Sequence, residues 1–327
     1  MATLPAPTVA VVIGVYNAGE TIGRAILSAL AQAEVREVIV VDDASTDDSV
    51  AMARSADDGS GRLVILQQPA NAGPAAARNR AIASSHAPYI AVLDADDFLL
   101  PDRFSVLFAD RDWDLIADNI VFVSEDCIDQ FCHSAIRNDG RLTQLDLSTF
   151  VRRNMSSRST PRGELGFLKV VMRREFFDKA AIRYDESLRL GEDYVLYCQA
   201  LAAGARFRLS RHCGYVAIER GNSLSGRHRT EDLFALASAD ARLIEAGSLS
   251  SGEDLLLQRH RDQILAKANH RHFLDERHRI GLARAVLSLA MHPKALLGVM
   301  RDVLLDKLAL VRPATPEARP PLRYLFD

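Results

Sequence analysis

The chain has 327 residues, of which 48% are hydrophobic and 25% are charged, a composition typical of a globular protein with one large domain or a domain plus an appendage. The formal net charge of −3 excludes the strongly basic field of a general nucleic-acid-binding protein, so we expect no nucleic-acid partner. There is no signal-peptide pattern or membrane-length apolar run, and the four cysteines match no common zinc or redox spacing. We therefore expect a cytoplasmic protein with reduced thiols.

The first hundred residues alternate between strand and helix patterns. Short β-branched runs predict strands over residues 9–15, 37–41, 62–66 and 89–93. Helical spacing predicts helices over 20–31 and 49–55, the second with Ser45 or Thr46 as N-cap, and a third helix opening near Pro74. This alternation predicts an α/β fold with a parallel sheet and helices on both faces.

The later part of the chain has a different character. A helix is predicted over about 192–203, at the motif "GEDYVLY". From about residue 230 the chain becomes rich in Leu and Arg at helical spacing, and residues 295–311 place apolar side chains on one helical face. A Pro-rich stretch near the end is expected to be irregular. We expect one domain over residues 1–225 and a C-terminal helical region over 226–327.

Polar side chains follow all four predicted strands of the sheet. Ligands of such sheets bind at the carboxyl ends of the strands, near a reversal of strand order, so we expect a site at this edge. The polar residues at the four exits are Tyr16, Asn17, Asp42, Asp43, Asn71, Asp94, Asp96 and Asp97.

The stretch "DADD" places Asp94, Asp96 and Asp97 directly after the fourth strand. Carboxylates so close together repel one another, and a divalent cation would neutralise them. Mg²⁺ and Mn²⁺ favour carboxylate oxygens together with substrate phosphates. The alternative is a helix N-cap followed by an exposed acidic loop, and this segment alone leaves both open.

Two further motifs suit a nucleotide. In "VVDDASTDDS", Asp43 ends a strand, where its carboxylate can accept hydrogen bonds from a uracil N3–H or from ribose hydroxyls, or can cap the next helix. In "NAGPAAARN", small residues open a helix whose N-terminus favours negative charge. Arg78, one turn into that helix, can face a diphosphate or the base-binding carboxylate; alternatively, the alanines simply pack against the sheet.

The motif "GEDYVLY" places Glu192 and Asp193 at a helix start. The helix dipole favours an ionised carboxylate there, and an ionised carboxylate beside a bound hydroxyl is a usable general base. Acidic residues also occur in first helical turns for stability alone, and that alternative stays open.

Taken in order, "VVIGVYN", "VVDDASTDDS", "NAGPAAARN", "LDADD" and "GEDYVLY", with "YDESL" before the last and "RGNSLS" after it, resemble the motifs of the family 2 inverting glycosyltransferases with the GT-A fold. The resemblance spans about residues 8–225 and extends to bacterial enzymes of exopolysaccharide synthesis, including succinoglycan glucosyltransferases. It implies a Rossmann-like, mostly parallel sheet flanked by helices, with the C-terminal helical extension beyond it. The nucleotide-sugar half would cover about 1–110 and the acceptor half about 111–225.

The resemblance implies roles at the donor side of the site. Tyr16 and Asp43 would line the uracil pocket, with Arg78 near it. Asp94 would face the ribose or the sugar. Asp96 would hold Mn²⁺ or Mg²⁺, which bridges the UDP phosphates. The same resemblance leaves Asp97 as an additional contact without an assigned role.

The resemblance also implies a reaction. Asp193 would be the catalytic base, with Glu192 beside it in the acceptor site. The predicted enzyme moves one sugar, glucose by resemblance, from a UDP-sugar to a saccharide acceptor, lipid-linked through a polyprenyl diphosphate, in exopolysaccharide or other cell-surface glycan synthesis. The QxxRW element of processive synthases is missing, because the single tryptophan is Trp113. Alternatives are a sugar-nucleotide nucleotidyltransferase and a non-catalytic UDP-sugar-binding protein.

The apolar face over residues 295–311 has two interpretations. It can lie on a membrane surface near a lipid-linked acceptor, which would place the protein peripherally on the inner face of the plasma membrane. It can instead pack on the catalytic domain or on a second subunit of a homodimer.

Overall fold

A computed structural model describes residues 7–131, 141–155, 165–219, 229–282, 284–285 and 322–326. The chain divides into two compact units, one comprising Met1–Asn222 with Pro321–Asp327 and the other comprising Ser223–Pro320. The predicted assignment of donor and acceptor halves within the first unit stays a prediction.

The first four strands form the parallel half of the sheet, in the order β3-β2-β1-β4. They are β1 (Val9–Val15), β2 (Val35–Asp42), β3 (Leu63–Gln67) and β4 (Tyr89–Val92), and the helices between them are α1 (Gly19–Leu30), α2 (Ser49–Ser55) and α3 (Pro74–Ala83). The β-branched residues of β1 and β2 are buried, because helices cover both faces of a parallel sheet. The predicted alternation of strands and helices is confirmed.

The register of these strands places their exits side by side. Val15 at the end of β1 pairs with Asp42 at the end of β2, and Val12 of β1 pairs with Val92 at the end of β4. The loops that follow β1, β2 and β4 therefore leave the same edge of the sheet, as the sequence predicts.

The second half of the sheet is mixed and adds antiparallel strands to the parallel first half. Its elements are β5 (Phe98–Leu99), α4 (Arg103–Leu107), β6 (Leu115–Ser124), β7 (Leu142–Leu145), α5 (Leu147–Asn154), β8 (Val171–Arg173), α6 (Arg174–Lys179), α7 (Glu192–Ala202) and β9 (Phe207–Glu219), with short 3-10 helices at Glu125–Gln130 and Leu165–Phe167. Strand β8 inserts between β4 and β6 and runs antiparallel to both, whereas β6 and β9 are parallel. The α/β architecture itself is confirmed.

The loop after β2 is tied to the loop after β1. The backbone N–H of Asn17 donates to Ser45 Oγ over 2.9 Å, and the carboxylate of Asp47 accepts from the backbone N–H groups of Gly19 and Ser49. The predicted N-cap of α2 at Ser45 or Thr46 is wrong, because the N-cap position is Asp48 and Ser45 instead binds the neighbouring loop.

The C-terminal unit contains two long helices in the region that is predicted to be helical from about residue 230. They are α8 (Thr230–Glu245) and α9 (Ser251–Ile280), which pack against each other and bury a contact of 2.7 Å between His260 Nδ1 and Asp240 Oδ2. Among the described helices, none is long and apolar enough to cross a membrane. The predicted amphipathic stretch 295–311 lies outside the described residues.

The chain end returns to the first unit. Strand β10 (Leu322–Tyr324) pairs antiparallel with β6, and the backbone of Phe326 exchanges hydrogen bonds with the side chain of Asn119. No strand is predicted there from the sequence, so this element is a finding of the structure.

Candidate active site

Five charged side chains from four separate segments meet at the sheet edge, and we call them the charge cluster. Asp94 follows β4 directly, Arg78 lies on α3, Lys169 precedes β8, and Glu192 and Asp193 open α7. Four of the five are predicted site residues, and the structure brings those four together.

Arg78 contacts all three carboxylates of the charge cluster. Its Nη1 lies 2.7 Å from Glu192 Oε1 and 3.2 Å from Asp193 Oδ1, and its Nη2 lies 2.9 Å from Asp94 Oδ1. The planar guanidinium presents its N–H groups in a fixed fork, which suits several carboxylates at once. Arg78 is buried, so these contacts replace the water that the charge would otherwise hold.

Lys169 forms the second bridge of the charge cluster. Its Nζ lies 2.8 Å from Asp94 Oδ2 and 3.0 Å from Asp193 Oδ2. Each of these two aspartates therefore has one oxygen on Arg78 and the other on Lys169. The two cations join the exit of β4 to the start of α7.

A phenol completes the surroundings of Asp193. Tyr184 Oη donates to Asp193 Oδ1 over 3.0 Å, and the Arg78 guanidinium lies over the Tyr184 ring at 5.4 Å. Burial first, and then the negative charge of Asp193, raise the pKa of Tyr184 well above its ordinary value. Tyr184 therefore stays protonated at neutral pH and remains a hydrogen-bond donor.

The charge cluster keeps Asp94 ionised. Burial alone would raise the pKa of this carboxyl, but the charges of Lys169 and Arg78 and their hydrogen bonds hold it well below its ordinary range. With one described contact on each oxygen, the carboxylate retains lone-pair sites for a hydroxyl group. This is compatible with the predicted contact to a ribose or a sugar.

Asp97 is a structural residue, which answers the question that the sequence left open. Its Oδ2 accepts from Tyr215 Oη over 2.7 Å and its Oδ1 accepts from the backbone N–H of Ile218 over 2.9 Å. Tyr215 Oη also accepts from the backbone N–H of Asp94. Asp97 and Tyr215 thus fasten the "DADD" turn to β9. Burial, with the nearby charges of Asp96 and Asp94, raises the pKa of Asp97 well above its ordinary value.

Asp96, like Asp94, is a half-buried carboxylate of the turn. Its backbone oxygen accepts a hydrogen bond from Arg24 Nη2 over 3.1 Å. Within the described residues, no group of three His, Cys, Asp or Glu side chains is placed to hold a metal ion. A single carboxylate suits Mg²⁺ or Mn²⁺ if the remaining ligands come from substrate phosphates and water.

The charge balance of the site fits such a cation. The charge cluster contains three carboxylates and two cations, which leaves it with one net negative charge. A diphosphate brought to this edge would be repelled by that charge. The residues present therefore fit a divalent ion placed between Asp96 and the phosphates.

Asp43 is buried at the exit of β2 and organises the loop before α3. Its Oδ1 accepts from Gln68 Nε2 and from the backbone N–H of Ala72, both over 2.7 Å, and its Oδ2 accepts from the backbone N–H of Gly73 over 2.8 Å. Gly73 has a φ of +96°, a conformation that favours glycine. Among the described contacts, Oδ2 retains a lone-pair site that a uracil N3–H can use.

Tyr16 lies at the exit of β1 with 46% of its surface exposed. The backbone N–H of Asp43 donates to the backbone oxygen of Val15 over 2.8 Å, so Tyr16 follows directly on a residue that is bonded to Asp43. This places an exposed aromatic ring and a buried carboxylate on neighbouring strand exits.

A second, fully buried ion pair lies behind the charge cluster. Arg103 on α4 binds Asp118 on β6 through Nε and Nη2, and Nη2 also donates to the backbone oxygen of Lys169 over 2.6 Å. Gly214 closes over this pair, because an added Cβ would lie 2.5 Å from both Arg103 Cγ and Asp118 Oδ2. The pair therefore fixes the backbone that carries Lys169.

Lys169, Tyr184 and Tyr215 are the site residues that the sequence analysis missed. The available indication was a lone lysine inside the apolar run "FLKVVM", since a lysine is rarely buried without an anionic partner. The partners themselves come from distant parts of the chain, so no local spacing identifies them.

Comparison with known proteins gives a consistent picture. The family model for glycosyl transferase family 2 matches residues 10–155. Succinoglycan biosynthesis protein ExoU of Rhizobium meliloti is 46% identical, over 99% of this chain and 97% of that protein. Succinoglycan biosynthesis protein ExoO of the same organism is 34% identical, over 95% of this chain and 85% of that protein.

The fold is also similar to a solved structure. The crystal structure of S. aureus TarS 1–349 in complex with UDP-GlcNAc superposes with a TM-score of 0.56 at 20% identity, over 81% of this chain and 72% of that chain. At this identity the likeness shows the fold alone, and it agrees with the predicted GT-A class.

Proposed function

Because the chain belongs to glycosyl transferase family 2 and is a glycosyltransferase, we propose that it moves a single sugar from a UDP-sugar to a saccharide acceptor with inversion at the anomeric carbon. Glucose is the proposed donor sugar, and a polyprenyl-diphosphate-linked saccharide is the proposed acceptor. The names of ExoU and ExoO support exopolysaccharide assembly as the setting.

The observation that carries this proposal is the charge cluster. It brings Asp193, at the start of α7, against Asp94, at the exit of β4, through two buried cations. A base for the acceptor and a contact for the donor sugar must lie within a few ångströms of each other, since both act around one anomeric carbon.

Asp193 is suited to act as the general base. Its Oδ1 already accepts from Arg78 and Tyr184, whereas its Oδ2 accepts from Lys169 and retains one lone-pair site among the described contacts. We assign Oδ2 as the atom that takes the proton of the acceptor hydroxyl. The hydroxyl oxygen attacks the anomeric carbon as the bond to the diphosphate breaks on the opposite face, which inverts the centre.

The donor pocket is proposed at the exits of β1 and β2. Asp43 would accept the uracil N3–H at the free site of Oδ2, and Tyr16 would pack against the base. Asp94 would accept a hydroxyl of the ribose or the sugar, and Glu192 would contact the acceptor. Hydrogen bonds to these groups hold the donor with its anomeric carbon toward Asp193.

Enzymes of this family generally use a divalent metal ion. We propose that Asp96 would hold Mn²⁺ or Mg²⁺ together with the donor phosphates. When bound, such an ion supplies Lewis-acid stabilisation of the charge that the leaving diphosphate gains.

The test is a donor screen that follows release of UDP and formation of the glycosylated acceptor, with Mn²⁺ or Mg²⁺ present. Transfer from one UDP-sugar to a lipid-linked saccharide, lost on chelation and in Asp96→Ala, would support the proposal. UDP binding by calorimetry without turnover of any donor would instead favour a non-catalytic binding protein. Membership of the family speaks against the nucleotidyltransferase alternative.

The cellular setting is a separate proposal. We place the enzyme on the cytoplasmic face of the plasma membrane, where the apolar helical pattern of residues 295–311 would contact lipid near the acceptor. Co-sedimentation of the full-length protein with anionic vesicles tests it, and equal pelleting with and without vesicles would contradict it.

A further inference from the structure

We propose that Lys169 is a positioning residue of the transfer reaction, which holds Oδ2 of Asp193 in the geometry needed to take the acceptor proton. This inference rests on the proposed role of Asp193 as the base. Lys169 lies outside the motifs that resemble the family, and its burial and contacts carry the inference.

Two hydrogen bonds to backbone oxygens fix the position of Lys169. The backbone oxygen of Lys169 accepts from Arg103, and the backbone oxygen of the preceding Leu168 accepts from Tyr197 Oη over 2.7 Å. Arg103, Tyr197 and Leu168 are all fully buried, and Lys169 has 6% of its surface exposed. The lysine side chain therefore starts from a fixed point behind the site.

The ammonium group of Lys169 ends between two functional carboxylates. It donates to Oδ2 of Asp94 and to Oδ2 of Asp193, at 2.8 and 3.0 Å. Burial alone would lower the pKa of Lys169, but the charges of Asp193 and Asp94 raise it above its ordinary value, so the group stays charged at neutral pH. A charged donor in a buried site forms a strong and directional contact.

This contact distinguishes the two oxygens of Asp193. Oδ1 is held by Arg78 and Tyr184, so rotation of the carboxylate is resisted from that side. Lys169 holds the other oxygen and leaves its second lone-pair site open. Without Lys169, Oδ2 loses its described partner and the carboxylate can turn away from the acceptor.

Among the described residues, the groups that face Asp193 come from several elements and include two cations, one of which is Lys169. The groups are Arg78 of α3, Asp94 after β4, Lys169 before β8, Tyr184 in the loop before α7, and Glu192 and Tyr197 of α7. Arg78 also contacts Glu192, whereas the described contacts of the Lys169 ammonium are Asp94 and Asp193 only. Substitution of Lys169 therefore removes one contact each from Asp193 and Asp94 and leaves the contact between Arg78 and Glu192 in place.

The test is a double-mutant cycle between Lys169→Met and Asp193→Asn in the full-length enzyme. We expect Lys169→Met to lower kcat by about 100-fold, the effect of a small misplacement of a reacting group. The donor KM should change less than about threefold, because Arg78 still holds Asp94 through Oδ1. In the Asp193→Asn background the same substitution should cost less than about threefold, because a residue that acts through another has no effect once that other is removed. Lys179→Met, on an exposed lysine of α6, is the matched control and should leave kcat unchanged.

The outcomes separate this inference from the proposed function. If Asp193→Asn keeps wild-type transfer, the assignment of the base is wrong and the inference is overturned with it. If Asp193→Asn loses transfer while Lys169→Met keeps wild-type kcat, or if the two losses multiply, Lys169 does not act through Asp193 and the inference alone is overturned.

A second variant covers a failure of Lys169→Met to fold, which circular dichroism and UDP binding would detect. Lys169→Arg keeps the charge and shifts the position of its donors. Its loss of kcat should likewise disappear in the Asp193→Asn background. A loss that persists there would overturn the inference.

Discussion

The protein holds two carboxylates of the proposed site in different ways. Asp43 is bound by three uncharged donors, which are the amide of Gln68 and the backbone N–H groups of Ala72 and Gly73. Asp193 is bound by the cations Arg78 and Lys169 and by the phenol of Tyr184. The donors to Asp43 all lie in the loop between β3 and α3. The donors to Asp193 come from separate segments of the first unit.

This difference matches the role that we propose for each carboxylate. Uncharged donors stabilise an anion without cancelling its charge, so Asp43 would keep its attraction for a polarised N–H of a bound base. In the proposed reaction Asp193 must stay in place while its charge changes, and two cations with a phenol hold both of its oxygens. The proposed donor pocket is therefore a local structure, and the proposed base site depends on tertiary contacts.

The largest effect should follow from Arg78→Met. This change leaves three carboxylates with one cation in a buried site, and breaking a buried ion pair from one side costs about 3–5 kcal/mol. We expect the free energy of unfolding, measured by urea denaturation, to fall by about that amount. Arg80→Met, two residues further along α3 and bonded to the backbone oxygen of Gln67, is the control and should cost no more than about 1 kcal/mol. Equal losses would show that the charge cluster is not the stabilising feature.

A smaller loss is expected from Gly214→Ala, behind the base site. The added Cβ would lie 2.5 Å from atoms of the buried Arg103–Asp118 pair, and overpacking of this kind costs about 1–3 kcal/mol. The displacement should reach Lys169 through Arg103, so kcat should fall together with the melting temperature. Gly23→Ala, where an added Cβ meets nothing within 4 Å, is the matched control. Unchanged stability in Gly214→Ala would contradict the packing seen around this pair.

Asp43→Asn should affect donor binding and leave the base intact. An amide nitrogen cannot accept from Gln68, Ala72 or Gly73, so at least one buried donor loses its partner, at a cost of about 1–3 kcal/mol. We expect the donor KM to rise about tenfold or more with kcat less affected. A loss confined to kcat would show that Asp43 does not belong to the donor pocket.

The smallest expected effect is a change in the pH dependence of stability, and it comes from the buried side chain of His212. Burial lowers its pKa below the ordinary value of 6.5, and its Nε2 has no described partner. The unfolded chain then binds more protons than the folded chain just below pH 6.5, so stability falls as the pH drops through that value. Between pH 7.5 and pH 5.5, the free energy of unfolding measured by urea denaturation should fall less for His212→Gln than for the wild type. Equal decreases would show that His212 does not cause this pH dependence.

The parallel half of the fold was predictable because its determinants are local. Strand β1 has the predicted bounds Val9–Val15, and the motif at Asp43 follows its strand directly. The mixed half could not be predicted, because β8 pairs on both sides with strands from other parts of the chain. The hydrophobic pattern of a three-residue strand does not indicate whether it runs parallel or antiparallel to its neighbours. Lys169 was not predicted as a site residue for the same reason, since its partners Asp94 and Asp193 come from other segments of the chain.

The most direct test of the account is transfer by Asp193→Asn, measured in single turnovers with the accepted UDP-sugar, alongside calorimetric binding of UDP. The account predicts a loss of transfer of about 10²–10⁴-fold, the usual contribution of a general base, with UDP affinity retained. Transfer at the wild-type rate by a folded Asp193→Asn enzyme would contradict it.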